Sequence, residues 1–291
     1  MILLSISIYS EMIDGIKCTV NGVDPYSLKQ KFDFFTPVNE NTGEAQPYSS
    51  ARWDNLRLTL HQKGTCSIRG SLQKLAHQGI NSTDFTYPEL CECVGLMADT
   101  FETRPENFIL HNLEFGVNLD YPPAEIIDNL LLYGFNAFAP MSANRRQSIG
   151  MTCELSRYSL KVYGKNQTRL RLETHVSRMQ YLQKVSGSLL TFDSIRDKSV
   201  LARLGDNLLE TWDKVLLREE VVLEGLKARE QEVLAIGRYQ HFWTDLQKSN
   251  PGNYKKKRAR FSELQQLYQT TTRKDDIARL TGEKWATLLQ A

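Results

Sequence analysis

The sequence has no apolar stretch approaching the ~20 residues that a membrane-spanning helix requires. Its five cysteines (Cys18, Cys66, Cys91, Cys93 and Cys153) are odd in number and scattered, which argues against a disulfide framework. Cys91-Glu92-Cys93 is too close-spaced and too isolated for zinc, and reads as packing. There is no Walker loop, no dinucleotide-binding glycine pattern and no Ser-His-Asp text, so nucleotide hydrolysis and ordinary hydrolase chemistry are unsupported. The five histidines include no His-x-His pair. Met1–Tyr9 is apolar but short, without a basic start or a small-residue cleavage site, and makes a poor signal peptide. Met12-Ile13-Asp14 could equally begin the protein. These absences lead to the expectation of a soluble, cytoplasmic protein with no membrane partner.

The chain has 291 residues, 41% hydrophobic and 24% charged, which is globular and long enough for one large or two ordinary domains. A net charge of +2 conceals a local imbalance: residues 145–184 carry nine basic side chains and only Glu154 and Glu173 as acids. Such a field attracts phosphates even on a nearly neutral chain.

Residues 1–52 are turn-rich (Asn21-Gly22, Asp24-Pro25, Pro37–Gln46) and promise little regular structure. From Trp53 a rhythm begins. Leu56–His61 and Thr65–Gly70 alternate and read as a β-hairpin. Thr86–Phe101 reads as a helix with Thr86 as cap and Pro88 in the first turn. Phe108–Leu119 returns to a period of two, and Pro122-Pro123 opens a second amphipathic helix through Ile126, Ile127, Leu130 and Leu131. Residues 134–152 read as a mobile loop. Tyr158–Tyr163 and Thr168–Val176 read as two further strands. Beyond Gly187 there is no proline before Pro251, and leucines at helical spacing indicate an all-helical segment. The expected architecture is α+β: an irregular segment over 1–52, an antiparallel sheet with helices on one face over 53–185, and a helical domain over 186–291.

Alternation along the strands sorts their side chains. Leu113, Phe115, Val117 and Leu119 share one face, and Asn112, Glu114 and Asn118 the other. His111 falls on the apolar side by parity and reads as a core histidine. Tyr158, Leu160 and Val162 point inward, leaving Ser159, Lys161 and Tyr163 opposite. Leu170, Leu172 and Val176 point inward, leaving Arg171, Glu173 and His175 opposite. In one sheet these polar sets converge. Paired carboxylates offer the hard oxygens that Mg²⁺ or Mn²⁺ prefers, and a tyrosine, weakly nucleophilic at a pKa near ~10, gains from a cation such as Lys161 or Lys165 beside it. The same residues can also be cross-strand ion pairs, Glu114 and Glu173 with Lys161 and Arg171.

Leu110-His111-Asn112-Leu113-Glu114-Phe115-Gly116-Val117-Asn118, then Tyr158–Lys165, then Leu170-Arg171-Leu172-Glu173 resemble, in this order, the rolling-circle replication initiators. The likeness is to the filamentous-phage gene II type and related plasmid and phage initiators, including a branch common in Bacteroidetes; Gly70–Lys74 and Asn81–Phe85 also look like that branch. The resemblance covers roughly residues 53–185, which it makes the expected catalytic DNA-nicking domain, with 186–291 expected as a helical DNA-binding or oligomerisation domain. It implies a metal-dependent DNA strand transferase that nicks one strand at an origin, keeps the 5′ phosphate as a phosphotyrosine ester and leaves a 3′ hydroxyl as primer. Carried over by position, Tyr163 matches the nucleophile, Lys165 the lysine that follows it, and Glu114 and Glu173 the acids that would hold Mg²⁺ or Mn²⁺.

Lys161, Arg169 and Arg171 are candidate DNA contacts on the same face. A second set is Lys255, Lys256, Lys257, Arg258 and Arg260, five cations within eight residues, suited to salt-dependent phosphate binding. Asp275–Trp285 has helix, glycine turn and helix spacing, loosely like a helix-turn-helix, with two-helix packing of Trp285 as the commoner explanation. The expected partner is single-stranded or supercoiled origin DNA, with a host helicase and a homodimer as further candidates. The alternatives are a non-catalytic DNA-binding regulator on the same scaffold and a mobilisation relaxase.

Overall fold

The structure is a computed structural model that describes residues 12–61, 64–80, 84–141 and 150–291. The apolar opening Met1–Tyr9, the Asn81–Thr83 part of the motif text and 142–149 of the expected loop lie outside the described residues. Among the described residues the strands are, in chain order, β1 (Ile13–Asn21), β2 (Tyr48–Trp53), β3 (Leu56–His61), β4 (Thr65–Ser71), β5 (Phe108–Asp120), β6 (Leu130–Tyr133), β7 (Asn136–Ala137), β8 (Ala139–Pro140), β9 (Gly150–Glu154), β10 (Tyr158–Gly164), β11 (Arg169–Val176) and β12 (Val215–Leu217). The α-helices are α1 (Pro25–Lys31), α2 (Leu72–Ala76), α3 (Tyr87–Thr100), α4 (Pro123–Ile127), α5 (Gln180–Ser186), α6 (Lys198–Asp213), α7 (Ala228–Gly237), α8 (Gln240–Ser249), α9 (Pro251–Tyr268) and α10 (Arg273–Gln290). The architecture is α+β. Nine strands form one antiparallel sheet in the order β2-β3-β4-β1-β5-β11-β10-β9-β8, and β12-β6-β7 form a small second sheet.

Local chemistry explains the elements the sequence announces. The α3 start is a capping box, with the Glu89 carboxylate accepting from the Thr86 N–H at 2.6 Å and from its hydroxyl at 2.9 Å, which satisfies donors that the first turn leaves open. The β3–β4 hairpin pairs Leu58 with Ile68 and Leu60 with Cys66, all four buried on one face.

That apolar face of the sheet is covered by α2, α3, α6 and α10. Phe115 of β5 meets Trp285 of α10 edge-to-face at 6.3 Å, and the Trp285 indole N–H donates to the Leu201 carbonyl of α6 at 3.0 Å. Reciprocally, the Trp212 indole N–H of α6 donates to the Lys274 carbonyl of α10 at 2.9 Å. Each large ring thus finds both apolar contact and a partner for its one polar atom. The segment after residue 186 therefore shares its core with the sheet: α6 and α10 belong to the principal hydrophobic cluster. Only α7, α8 and α9 gather round a second cluster, built on Trp243, Tyr254, Phe261 and Leu264 with residues of β6 and β12.

Several expectations are corrected. Residues 13–21 form a strand between β4 and β5, where little regular structure was expected. The helix expected after Pro122 stops at Ile127, and Leu130–Tyr133 is a strand paired with β12, because residues 130–133 are buried all round and contribute ladder bonds instead of one helical face. β12 also interrupts the all-helical segment. The expected 134–152 loop holds short strands, including the start of β9. Asp275–Trp285 lies within α10, which runs unbroken through Gly282; there is no turn, and Trp285 is a core residue. Among the described residues no helix is long and apolar enough to cross a membrane.

Candidate functional site

The polar face is assembled by register. In β10 and β11, Lys161 lies opposite Glu173, Tyr163 opposite Arg171 and Ser159 opposite His175. In β11 and β5, Arg171 lies opposite Asn118, Glu173 opposite Gly116 and His175 opposite Glu114. The three sets expected on one face are therefore brought together. β9 adds Gly150 opposite Tyr163, and a Cβ there would stand 2.5 Å from the tyrosine Cβ.

Two bulges between β1 and β5 complete the arrangement. Ile13 pairs with Phe115 and Ile16 with Leu113, so Asp14 and Gly15 together face Glu114. An extra residue re-aims the strand, and it directs the Asp14 carboxylate toward Glu114. The second irregularity pairs Lys17 with Asn112 and Cys18 with Leu110, leaving His111 as the extra residue. This shifts the parity of β5: Phe108 and Leu110 are buried before it, Leu113, Phe115 and Val117 after it. His111 is consequently exposed, its Nε2 2.7 Å from the Thr19 hydroxyl, and the core-histidine reading is corrected.

The resulting centre is a tight ionic group. The Lys161 ammonium donates to Glu114 Oε1 at 3.0 Å and to Glu173 Oε1 at 2.9 Å. Glu173 Oε2 accepts from the Tyr163 hydroxyl at 3.1 Å and from Arg171 Nε at 3.2 Å. Arg171 also reaches Asn118 Oδ1 at 3.4 Å. His175 Nε2 lies 2.7 Å from Asn112 Nδ2 and 3.9 Å from Glu114 Oε1. Asp14 accepts a very short hydrogen bond from the Ser71 hydroxyl, whose oxygen also caps α2 by accepting from Lys74 N at 3.1 Å. Burial is graded: the Arg171 and Glu173 side chains are 0% and 2% exposed, Lys161 16% and Glu114 25%.

The electrostatics follow from this packing. Burial alone would favour a protonated Glu173, but Arg171 and then Lys161 outweigh it and hold the carboxyl well below the usual range. Burial works against the Lys161 ammonium, yet Glu173 and Glu114 hold its pKa above the ordinary lysine value. Burial, reinforced by Lys161, pushes His175 down toward the neutral imidazole.

Glu114, Glu173 and Asp14 each offer a carboxylate oxygen, and these lie within 4.8 Å of one another. Three hard oxygen donors at this separation fit a divalent cation of the Mg²⁺ or Mn²⁺ kind. Sequence reading supplied two of them and missed Asp14. Its signal was Asp14-Gly15 between two isoleucines, since a glycine inside a strand pattern marks a bulge.

The other expected residues divide. Lys165 stands beside the site, its ammonium 5.6 Å from the Tyr163 ring centroid. Arg169 is paired with Asp120 at 3.4 Å. Arg171 is on this face but fully buried among its neighbours, bonded to Glu173 and Asn118, so its position is that of a clamp on Glu173 and not of an exposed cation. Tyr158, the other tyrosine of β10 and inward by parity, stacks on Tyr181 at 4.0 Å and shares a hydrogen bond with Tyr133 at 2.6 Å; burial pushes its pKa far above that of a free phenol. Cys93 is buried, its thiol directed at the Leu72 carbonyl, as packing requires. Lys255–Arg260 lies on α9, away from the sheet; Arg260 is engaged by Glu230 and by Glu263 at 2.8 Å, while Lys255 and Lys256 are exposed.

No protein-family model matches the chain, and no curated protein matches it. Among solved structures the chain is similar to Methanococcus jannaschii TBP, with 10% identity and a TM-score of 0.32 over 65% of this chain and 98% of that one. A likeness of that degree carries no argument about function.

Proposed function

We propose that this protein is a cytoplasmic, metal-assisted DNA strand transferase of the rolling-circle initiator type, with Tyr163 as nucleophile. The observation that carries the reading is the hydrogen bond from the Tyr163 hydroxyl to Glu173, 3.1 Å long, within a group that also holds Glu114, Asp14 and Lys161. A phosphate-binding surface with no catalytic task gains nothing from three clustered carboxylates, which repel phosphate.

In this account Tyr163 Oη gives up its phenolic proton to water as it attacks the scissile phosphorus, the bond from phosphorus to the 3′ oxygen breaks, and that oxygen takes up a proton from water to become the 3′ hydroxyl. The 5′ phosphate remains as a tyrosine ester, which keeps the energy of the broken bond for later rejoining. Glu173 aims the phenol by accepting its hydrogen bond. Because it is held strongly ionised, Glu173 orients the hydroxyl and is a poor store for its proton. Arg171 fixes Glu173. Lys165, beside the ring, is placed to meet a phosphate oxygen. Asp14, Glu114 and Glu173 would hold Mg²⁺ or Mn²⁺, which polarises a phosphate oxygen and offsets developing charge.

One observation favours the non-catalytic reading. Lys161, Tyr163 and Arg171 together engage both oxygens of Glu173, an ion-pair network that is complete without a metal. The two readings separate in one experiment. Labelled single-stranded DNA from around the protein's own gene is incubated with Mn²⁺ or Mg²⁺ and run on a denaturing gel. A metal-dependent covalent band, lost in Tyr163→Phe, is the outcome of strand transfer. DNA binding without any band, over fragments spanning the gene, is the outcome of the regulator.

A further inference from the structure

Away from the sheet, α7, α8 and α9 enclose a groove of about 550 Å³. Val233, Ile236 and the half-buried Phe242 form its apolar part, and Lys227, Arg229, Lys256 and Lys257 line its rim. The Lys257 ammonium sits 5.4 Å from the Phe242 ring centroid. Two acids also line the groove, but they do not cancel these cations. Glu230 is taken up by Arg260 and by the Lys227 N–H at the start of α7, which leaves Glu232 alone against four positive charges. Arg229 and Lys256 form no ion pair among the described residues.

We infer that this groove binds single-stranded nucleic acid, with a base on Phe242 and the backbone phosphates on Arg229, Lys256 and Lys257. An aromatic face flanked by cations is the arrangement that holds single strands without regard to sequence, and the excess of positive charge is complementary to a phosphate backbone. The choice of nucleic acid over an acidic peptide rests on the aromatic floor and on the strand-transfer reading. A groove of this kind holds the displaced strand while the sheet face acts on the nicked one.

The test uses the full chain, a fluorescent oligothymidylate and EDTA, so that no metal-dependent chemistry contributes. Lys256→Glu combined with Arg229→Glu is expected to weaken binding roughly tenfold or more and to flatten the dependence on salt concentration. Phe242→Leu, at unchanged salt dependence, is expected to weaken it about fivefold or more. The double charge reversal lies on the surface, so it keeps the test valid if the Phe242 variant fails to fold. Tyr163→Phe should bind as the wild type does, which separates the groove from the nicking site. Wild-type affinity in the charge-reversed variant, no oligothymidylate binding at all, or equal competition by polyglutamate would each overturn the inference.

Discussion

Gly15 and Glu114 share one space: a side chain on Gly15 would overlap the Glu114 carboxylate. Glycine at the β1 bulge is what lets that carboxylate sit beside Asp14. The obstructing atoms belong to the mobile end of a side chain, so Gly15→Ala should cost little stability while displacing Glu114. We expect an unfolding midpoint close to wild type and Mn²⁺ affinity reduced about tenfold, on the scale of losing support for a ligand. Calorimetric titration with Mn²⁺ alongside urea unfolding checks both halves.

Gly116 presents the opposite case. A Cβ there would run into the backbone of Leu172 and stand 2.8 Å from Glu173 Cα, and a strand ladder cannot shift as a carboxylate can. Gly116→Ala should destabilise the fold by about 1–3 kcal/mol or more, the cost of overpacking. Equilibrium unfolding in urea reads it directly.

Asp14 is the donor that strand alternation does not reveal. Asp14→Asn keeps the size of the side chain and can still accept from Ser71, but it removes one of three anionic oxygens. Metal affinity should fall by about 10–100-fold, comparable with other losses at metal sites, with the melting temperature of the metal-free protein changed by a few degrees at most. Unchanged Mn²⁺ affinity would remove Asp14 from the site.

The pH dependence of stability has a definite sign. Glu173 is more acidic folded than unfolded, where a glutamate titrates near ~4.3. Between the two values the unfolded chain binds more protons, so stability rises with pH across that window. The contribution is fully present above about 4.3 and is lost as the pH falls through the folded value. Glu173→Gln should flatten the acid limb of urea stability measured from pH 6 down to pH 3.

Trp285 ties the last helix to the sheet through Phe115 and Leu201. Trp285→Ala should cost about 3–5 kcal/mol. Because α6 and α10 lie in the principal core, the wild-type sheet and α10 should also unfold together, seen as coincident transitions by tryptophan fluorescence and far-ultraviolet circular dichroism.

Much of the sheet was legible because β3, β4, β10 and β11 alternate without interruption. Register then follows from alternation, so Lys161, Tyr163, Arg171 and Glu173 could be placed on one face. What escaped was hidden by irregularity. The bulge at Asp14-Gly15 breaks the period of β1, concealing both a strand and a site residue, and the bulge at His111 reverses the parity of β5. The burial of Arg171 was illegible for another reason: parity assigns a side chain to a face and says nothing of how deep it lies once neighbours fold over it. In α10, Gly282 suggested a turn, yet the helix continues because flanking contacts, Trp285 against Phe115 among them, outweigh the roughly 1 kcal/mol that glycine costs a helix interior.

The central claim is that the Tyr163 oxygen becomes bonded to DNA. The most direct measurement is mass spectrometry of the protein after incubation with Mn²⁺ and single-stranded DNA from around its gene, followed by nuclease trimming and peptide mapping. The account predicts a nucleotide adduct on the peptide containing Tyr163, dependent on metal and reduced in Glu173→Gln. An adduct on Tyr158 or another tyrosine, or DNA bound and recovered with no covalent mass on any peptide, would contradict it.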